Sequence, residues 1–481
     1  MSFFQIYSVI ILAALFLNGT SFAADKHPNI LFVLADDLGW RDLGCYGSDF
    51  YETPNIDRLA SQGMRFTDAY AAANVCSPTR AAILTGKTPA RLHLTDFLSG
   101  LVFPHAALTP PEWQRHFLPL EEVTLAEMLG PAGYESFYFG KWHLGRQEYF
   151  PTAQGFEHGI WVLKWGFKSY FYPWPASGDL PGKEGDYFTD AITDRVIEAL
   201  EQARDRPFFI FLSYFNPHRP TEAKEQHVRY YERKLTSAHL QRNPINAGMI
   251  HSLDENIGRI MRALDDENLA EDTLVIFTSD NGGNHYADVP QKTSNSPLRA
   301  GKGSAYEGAY RVPLIVRWPR RIPEESESRE PVSSIDFFPT LAELSEQDLP
   351  AEREIDGTSL LSVLTRQQPL DREALYWHYP HYHNGGASPH GVVRKGRYRL
   401  VEHFDGTPAE LYDLESDLGE TVNLAYSMEE KTKELLTELR EWRGQVGAQM
   451  PTGNPNYDPE RVDHAIFYHQ YIEQQSNRPV R

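Results

Sequence analysis

The stretch NILFVLADD, residues 29–37, carries the pattern that decides the fold. Its apolar residues 30–35 show no polar alternation, which predicts a strand buried on both faces of a sheet. Similar apolar runs recur downstream, at residues 207–215, 273–278 and 312–318. Helical patterns lie between them, as at residues 189–203 and 249–264. This alternation predicts an α/β fold with a large mixed, mostly parallel sheet sandwiched by helices.

The last quarter of the chain has a different sequence pattern. Residues 375–383 are aromatic and rich in histidine, and residues 392–401 resemble two paired strands. Residues 427–446 have the pattern of a closing helix. We therefore predict a catalytic α/β domain at residues 24–365 and a smaller C-terminal α+β subdomain, an antiparallel sheet plus a helix, at residues 366–481.

The N-terminus has the character of an export signal. Residues 3–17 are almost wholly apolar, and Ser21-Phe22-Ala23 supplies a small-x-small cleavage pattern. We predict a signal peptide at residues 1–23 and a periplasmic or secreted protein. A membrane anchor is the alternative, but the run is shorter than the roughly 20 residues that span a bilayer. No later segment is apolar enough, so we expect no stable membrane association.

The charge of the chain limits its partners. The 481 residues carry a formal net charge of -20, from 46 basic and 66 acidic residues. A nucleic-acid-binding protein would normally present a basic face, so we expect no nucleic acid partner. The same net charge repels anionic substrates at long range. Salt screens that repulsion beyond about 10 Å, so a local cationic pocket can still bind an anion.

Polar residues follow four predicted strands at the points where the strands end. They are Asp36-Asp37, Lys141-Trp142-His143, Asn216-Pro217-His218 and Asp280-Asn281. Ligands of open parallel sheets bind outside the carboxyl ends of the strands, so these groups predict one site. The carboxylate and amide oxygens suit a hard cation, and Ca²⁺, which accepts an irregular shell of about 6–8 oxygens, is preferred to Mg²⁺.

Cys45 and Cys76 are the two cysteines of the chain. A disulfide between them is possible in an exported protein, and nothing in the sequence excludes it. The segment TGKT at residues 85–88 resembles the tail of a P-loop, but Ala81 stands where that motif requires its first glycine. The chain also lacks a G-x-S-x-G motif, so a serine hydrolase elbow is not indicated.

The segment CSPTRAAILTG, residues 76–86, has the pattern of a short helix. We predict that Ser77 is its N-cap and that Pro78 is its first helical residue. Cys76 would then lie at a helix N-terminus, where free N–H groups and the helix dipole favour an anion. Arg80, one turn later, can reach back to the same place.

The segment at residues 76–86 resembles the signature of type I sulfatases, C-[ST]-P-[ST]-R-x4-T-G, of the alkaline phosphatase superfamily. Residues 133–143 resemble the second signature of that family, with Ser136 where threonine is usual. Lys87 stands where arginine commonly follows the first signature. Further segments match in the same order, at residues 29–37, 216–218, 280–283 and 301–303.

The resemblance implies that Cys76 is oxidised to formylglycine (3-oxoalanine) by a formylglycine-generating or sulfatase-maturating enzyme. The hydrated aldehyde would attack sulfur through one hydroxyl, and deprotonation of the other would expel sulfate. The implied Ca²⁺ ligands are Asp36, Asp37, Asp280, Asn281 and the modified Cys76.

The resemblance also implies roles for the cationic and histidine side chains. Arg80 would fix the hydrated aldehyde, while Lys141 and Lys302 would bind sulfate oxygens. His143 would be the base for the second hydroxyl. His218, with or without the help of Lys302, would protonate the departing alkoxide.

We predict a sulfuric ester hydrolase that acts on a sulfated carbohydrate, either a polysaccharide or a glycosaminoglycan-type oligosaccharide. Candidate residues for a sugar-binding rim are Arg91, His93, Trp113, Trp161, Trp165, His378, His381, His383 and His390. Three alternatives stay open: an arylsulfatase acting on phenol sulfates, a phosphodiesterase or phosphonate monoester hydrolase of the same superfamily, and a non-catalytic polyanion binder if Cys76 stays unmodified.

Overall fold

A computed structural model of the chain describes residues 27–163, 166–202, 206–285, 293–349 and 354–476. Residues 474–476 are described by their backbone alone. The predicted signal peptide at residues 1–23 and the rim candidate Trp165 lie outside the described residues.

The strands, in chain order, are β1 Asn29–Asp36, β2 Met64–Phe66, β3 Ala69–Tyr70, β4 Leu101–Val102, β5 Leu108–Thr109, β6 Glu135–Lys141, β7 His158–Val162, β8 Ala176–Ser177, β9 Phe208–Pro217, β10 Thr273–Ser279, β11 Leu314–Arg317, β12 Ser326–Ser328, β13 Val332–Ser333, β14 Ala374–Tyr379, β15 His390–Lys395, β16 Tyr398–His403, β17 Glu410–Asp413, β18 Thr452–Gly453 and β19 Ile466–Phe467. The α-helices are α1 Pro54–Ser61, α2 Cys76–Thr85, α3 Pro89–Leu92, α4 Leu125–Leu129, α5 Phe188–Gln202, α6 Glu225–Lys234, α7 Pro244–Asp266, α8 Glu307–Tyr310, α9 Phe337–Leu344, α10 Leu361–Arg366, α11 Glu429–Gln445 and α12 Tyr468–Ser476.

The large sheet has the strand order β12-β2-β11-β10-β1-β9-β6-β7-β8. Its five central strands β10, β1, β9, β6 and β7 are parallel to one another. The run at 312–318 forms β11, which pairs antiparallel with both β10 and β2. The predicted mixed, mostly parallel sheet is therefore confirmed.

Helices cover both faces of this sheet because its central strands are apolar on both sides. Alternate residues of β1 enter two separate cores, Phe32 on one face and Val33 on the other. Phe32 packs edge-on against Phe337 of α9. Val33 shares its core with Leu253 of α7. Burying each side chain of this size stabilises the fold by about 1.5–3 kcal/mol relative to leaving it exposed.

A second, antiparallel sheet has the strand order β14-β15-β16-β17. Helix α11 covers one face of it, where Leu435 and Leu439 lie in one buried cluster with Val393 and Leu400. The predicted C-terminal combination of antiparallel sheet and helix is confirmed.

The segment after α11 returns to the first part of the chain. Its strand β18 pairs antiparallel with β5, and β19 pairs antiparallel with β4. Apolar patterning does not indicate these pairings, since each of the four strands has only two residues. In the described part of the chain, no helix combines the length and the apolar character needed to cross a membrane.

Candidate active site

The site lies at the carboxyl ends of neighbouring central strands. Asp36 is the last residue of β1, and Asp280 and Asn281 follow β10, the strand beside it. Lys141 ends β6, and His218 directly follows β9. Because β10, β1, β9 and β6 are adjacent, chemistry from distant parts of the sequence meets at one edge of the sheet.

An acidic cluster forms the floor of this site. The backbone N–H of Asp37 donates to Asp280 Oδ1 at 3.2 Å, and the Asn281 amide donates to Asp37 Oδ1 at 2.8 Å. All of these side chains, and that of Asp36, are buried. Asp36, Asp37 and His218 each offer a ligand atom, and these atoms lie within 4.8 Å of one another.

Two oxygens of the cluster are suited to a metal ion. Asp36 Oδ1 and Asn281 Oδ1 are buried and accept no hydrogen bond from any described residue. Leaving a buried acceptor unpaired costs about 1–3 kcal/mol, so such atoms mark a place where another group binds. The donor set fits a hard cation, and the cluster is a candidate metal site.

Three cationic side chains face the three carboxylates. Arg80 donates through Nε at 2.9 Å and Nη2 at 2.7 Å to Asp280 Oδ2. The ammonium of Lys141 contacts Asp36, and that of Lys302 lies 2.5 Å from Asp37 Oδ1. With the histidines left aside, the three buried positive charges therefore balance the three buried negative charges among the described side chains.

The close packing of these charges moves two pKa values in opposite directions. Burial, joined by the charge of Asp36, raises the pKa of Asp280 to about 6. Burial also opposes ionisation of Asp37, but Lys302, His218 and Lys141 together hold its pKa well below the ordinary range. A bound divalent cation would favour the ionised form of both carboxyl groups.

Cys76 is the first residue of α2 and contacts His143. Its Sγ atom lies 3.2 Å from His143 Nδ1, and both side chains are buried. Nε2 of His143 lies 2.9 Å from the carbonyl oxygen of Leu98. A carbonyl can only accept, so the neutral ring carries its proton on Nε2 and presents the Nδ1 lone pair to Cys76.

The prediction that Ser77 is the N-cap of this helix is wrong. Helix α2 begins two residues earlier, at Cys76, with extended Val75 at the N-cap position. The Ser77 hydroxyl instead donates to the carbonyl of His143 at 2.9 Å and accepts from the N–H of Leu98 at 3.1 Å. These tertiary partners replace the local cap and connect the loop of Leu98 to the loop of His143.

Two residues of the site have a backbone in the left-handed region. Asp37 has φ of 64° and His143 has φ of 58°. Non-glycine residues rarely adopt this conformation, which costs about 1–3 kcal/mol and is concentrated at functional sites. In both cases the turn directs a side chain into the cluster immediately after a strand.

The two cysteines form no disulfide. Cys45 and Cys76 are both free, Cys45 being half-buried and Cys76 buried. The backbone N–H of Cys45 donates to Asp57 Oδ1 at 2.7 Å. The disulfide that the sequence left open is therefore absent, and the thiol of Cys76 is available to chemistry at the site.

A cavity of about 200 Å³ connects the cluster to solvent. It is lined by Asp37 and Lys302 at its inner end, and by His218, Arg219, His383 and Phe467 around it. Gly303 has φ of 71°, and a Cβ atom there would lie 1.9 Å from Nδ1 of His383. Only glycine at position 303 allows His383 to stand so close to the loop of Lys302.

His383 is the rim candidate that the structure places at this entrance. The other described candidates have packing partners elsewhere. Their side chains make hydrogen bonds of 2.7 Å for Arg91 to Asp356, 3.1 Å for His93 to Gly447, 2.8 Å for His378 to Gln449, 2.8 Å for His381 to Thr95 and 2.8 Å for His390 to Tyr310. Trp113 and Trp161 are largely buried against His381 and Phe150. These residues do not form the expected sugar-binding rim.

Several groups that contribute to the site could not be identified from the sequence. Ser213 accepts from Arg80 Nη1 at 2.5 Å, and its only sequence signal is a hydroxyl inside the apolar strand β9. Leu98 acts through its backbone carbonyl, for which side-chain patterns give no signal. Phe467 reaches the entrance because β19 pairs with β4. Asn216 was at a strand end, but its amide donates to Met249 O at 3.0 Å, toward α7.

Comparisons with known proteins identify the family of the chain. A family model described as Sulfatase matches residues 28–346, and one described as N-sulphoglucosamine sulphohydrolase, C-terminal, matches residues 301–445. The chain is 34% identical to a sulfatase of Formosa agariphila, over 93% of this chain and 94% of that protein. It is 33% identical to Homo sapiens arylsulfatase A, over 87% of each.

The fold is also shared with a solved structure. Ps i-CgsB in complex with k-i-k-neocarrahexaose superimposes with a TM-score of 0.77 at 26% identity, covering 94% of this chain and 97% of that one. Together with the full-length relatives, this likeness extends over the large sheet and the C-terminal sheet. The chain belongs to the sulfatase family and is a sulfatase.

Proposed function

We propose that this sulfatase removes sulfate from a sulfated carbohydrate, with oxidised Cys76 as nucleophile and Ca²⁺ as cofactor. The observation that carries the proposal is the buried contact between Cys76 and His143 beside the acidic cluster. A thiol in that position has a base at hand, a helix N-terminus behind it and a cation site next to it. These are the surroundings that an activated nucleophile for an anionic ester requires.

The metal would be held by Asp36, Asp37, Asp280, Asn281 and the modified Cys76. Bound there, Ca²⁺ would lower the pKa of the nucleophile and polarise a sulfate oxygen. The unpaired oxygens of Asp36 and Asn281 support this assignment. Three carboxylates against Arg80, Lys141 and Lys302 sum to no net charge, so a divalent ion makes the site attractive to an anion.

His143 is proposed as the base. The Sγ atom of Cys76 marks the place where an oxygen of the oxidised side chain would lie. A hydrated formylglycine supplies one hydroxyl to attack sulfur and a second whose deprotonation releases sulfate. Nδ1 of His143, at 3.2 Å from Sγ, is placed to accept that proton, while Nε2–H stays bound to Leu98 O.

Lys141 and Lys302 are proposed to bind the sulfate oxygens. Both ammonium groups are buried beside Asp36 and Asp37, where low dielectric strengthens their interaction with an anion. Arg80 stays fixed on Asp280 and Ser213 and would orient the nucleophile. These cations would stabilise the charge that builds on the transferring group.

His218 is proposed as the acid for the leaving group. It lines the entrance, and its Nε2 lies 3.9 Å from Asp37 Oδ2. Its Nδ1 lies 2.7 Å from the carbonyl of Arg219, so Nδ1 carries a proton and Nε2 faces the site. A sugar alkoxide is far more basic than a phenolate, so protonation at this position matters most for a carbohydrate sulfate.

A carbohydrate substrate is supported by the entrance and by one structural relative. Phe467, His383 and Arg219 give the cavity aromatic and polar groups of the kind that contact sugars. Ps i-CgsB, which shares the fold, was solved with k-i-k-neocarrahexaose bound. Export through the peptide at residues 1–23, maturation by a separate enzyme, and the division of the chain at residue 365 remain predictions.

The proposal is tested by assaying defined sulfated mono- and oligosaccharides beside an aryl sulfate and an aryl phosphate diester. We expect turnover of a sulfated saccharide, and we expect His218→Ala to slow it far more than it slows the aryl sulfate. Equal losses on both substrates would favour an arylsulfatase, and preferred turnover of the phosphate diester would favour a phosphodiesterase. Either result would overturn the carbohydrate assignment.

Mass spectrometry of the Cys76 peptide tests the nucleophile. Conversion of thiol to aldehyde lowers the peptide mass by about 18 Da, as the chemistry of this nucleophile requires. The Cys45 peptide from the same digest is the control and should keep its thiol mass. A thiol at Cys76 in fully active protein would contradict the proposal, since the nucleophile would then be another group.

A further inference from the structure

A second cluster of metal-binding side chains lies on helices α6 and α7, apart from the residues of the active site. His227 belongs to α6, while His251 and Glu255 belong to α7. The latter two are four residues apart, so they lie on one face of their helix. Each of the three offers a ligand atom, and these atoms all lie within 4.8 Å of one another.

Distances within the cluster match tetrahedral coordination. Nε2 of His227 lies 3.4 Å from Glu255 Oε1, and Nε2 of His251 lies 3.7 Å from the same oxygen. Zinc bonds of about 2.0–2.1 Å at the tetrahedral angle place neighbouring ligand atoms roughly 3.3 Å apart. Small side-chain movements would bring all three atoms onto one ion.

The other ring nitrogens of both histidines are already held. The hydroxyl of Ser252 donates to Gly248 O, so its oxygen accepts from Nδ1–H of His227 at 3.2 Å. That leaves Nε2 of His227 with its lone pair, which now accepts from the amide of Gln226 at 3.4 Å. Outer partners of this kind fix the tautomer and the ring orientation of metal-binding histidines.

The ring of the second histidine, His251, is also held by an outer partner. Its Nδ1 lies 3.1 Å from the hydroxyl oxygen of Tyr231, and that hydroxyl accepts from the backbone N–H of Glu52. The ring therefore turns Nε2 toward Glu255.

Glu255 is set up to bind through one oxygen. Its Oε1 faces the two imidazoles, while Oε2 lies 3.3 Å from the ammonium of Lys224. The side chain of Glu255 is 41% exposed and that of His251 27%, so an ion can enter from solvent. We propose that His227, His251 and Glu255 bind Zn²⁺, or a similar transition metal ion, with water as a fourth ligand.

The two candidate metal sites found among the described residues suit different ions. The cluster around Asp36 is dominated by oxygen donors and suits Ca²⁺. Two imidazoles and one carboxylate suit Zn²⁺, the ligand set of known zinc sites with an open position. A bound ion here would cross-link α6 and α7, in addition to the chain segment that connects them.

The test titrates Zn²⁺ calorimetrically onto the full-length, Ca²⁺-saturated protein, with turnover not used as a readout. We expect one Zn²⁺ per chain, and visible absorption of tetrahedral type when Co²⁺ replaces it. His251→Ala and Glu255→Gln should each abolish both signals. Ser252→Ala should weaken binding by about 10-fold or more, because it removes an outer partner.

Two controls locate the ion. His158→Ala removes an exposed histidine that pairs with Glu135 at 2.9 Å and belongs to no group of three metal-binding side chains among the described residues. This variant should bind Zn²⁺ like the wild type. Asp37→Asn alters the acidic cluster and should also leave Zn²⁺ binding intact. The proposal is overturned if His251→Ala and Glu255→Gln bind Zn²⁺ as the wild type does, since the three residues then form only an ion-pair network with Lys224.

Discussion

Nδ1 of His143 lies 3.2 Å from Sγ of Cys76, on a ring whose other nitrogen is bound to a backbone carbonyl. The tautomer of the histidine is therefore set by the main chain and does not depend on a further side chain. This arrangement makes the pair a nucleophile and base whose relative positions are fixed before substrate binds. The predictions below test this pair and the groups around it.

Cys76→Ala is expected to abolish turnover while preserving the fold. The substitution removes the atom from which the nucleophile is made, and loss of a nucleophile lowers kcat by about 10⁴-fold or more. Cys45→Ser is the matched control, because Cys45 is the other free cysteine and has no contact with the acidic cluster among those described. Activity assays and circular dichroism spectra of both variants provide the check. Normal turnover of Cys76→Ala would exclude this residue as the nucleophile.

Removal of Ca²⁺ is expected to lower activity and thermal stability together. A ligand that binds only the folded state stabilises it by about 2.7 kcal/mol at 100 times its Kd. Thermal melts and activity assays in EGTA, before and after Ca²⁺ is restored, measure both effects. Asp37→Asn should show a low Tm that added Ca²⁺ no longer raises. A melting temperature that is insensitive to EGTA would argue against a bound cation.

The C-terminal sheet is expected to lose stability in acid through His390. Burial lowers the pKa of this residue from 6.5 to about 3, and its ring accepts from Tyr310 and donates to Ser388 O. Since the folded pKa is the lower one, the unfolded state binds more protons between these values. The free energy of unfolding should therefore fall as pH decreases, by about 1.4 kcal/mol per pH unit for this group.

Urea melts of the wild type and His390→Gln between pH 6.5 and 4 provide the check. The variant is expected to be less stable at neutral pH, because it loses a buried ring with two hydrogen bonds. The slope of its free energy of unfolding against pH should be smaller, corresponding to the uptake of about one proton fewer on unfolding. An unchanged slope would show that His390 is charged in the folded protein or remains accessible to water.

Phe467→Ala is expected to raise KM for an oligosaccharide several-fold and to leave kcat unchanged. Phe467 lines the entrance and is not among the residues assigned to the reaction, so we expect its truncation to remove uniform binding. An aryl sulfate, which does not extend through the entrance, should be turned over as before. Tyr457→Ala is the matched control, because it removes an exposed aromatic ring of the same segment that does not line the entrance. Equal effects of the two variants would remove Phe467 from the substrate path.

The central sheet was predictable from sequence because its strands are continuous apolar runs. Residues 30–35 and 273–278 could be buried on both faces only in a covered sheet, and they form β1 and β10. The direction of β11 was not predictable, since an apolar run has the same pattern in parallel and antiparallel pairing. The acidic residues at the strand ends could also be identified from the sequence, because a pair of charged residues directly after a buried apolar run stands out.

The rest of the site depends on contacts between distant residues. Ser77 has the sequence of an N-cap, but its hydroxyl binds groups of His143 and Leu98 that no local pattern brings near. The histidines at 378, 381 and 390 looked like a binding cluster, yet their rings bind Gln449, Thr95 and Tyr310. Composition identifies residue types with functional potential, and tertiary packing decides which of them line the cavity.

The pairing of β19 with β4 has a consequence for the order in which the site is assembled. Translation produces the helix of Cys76 early and the strand that carries Phe467 late. The thiol and its base can thus come together while the entrance is still wide. The opening through which a substrate must pass is therefore complete only when the segment of Phe467 has paired with β4.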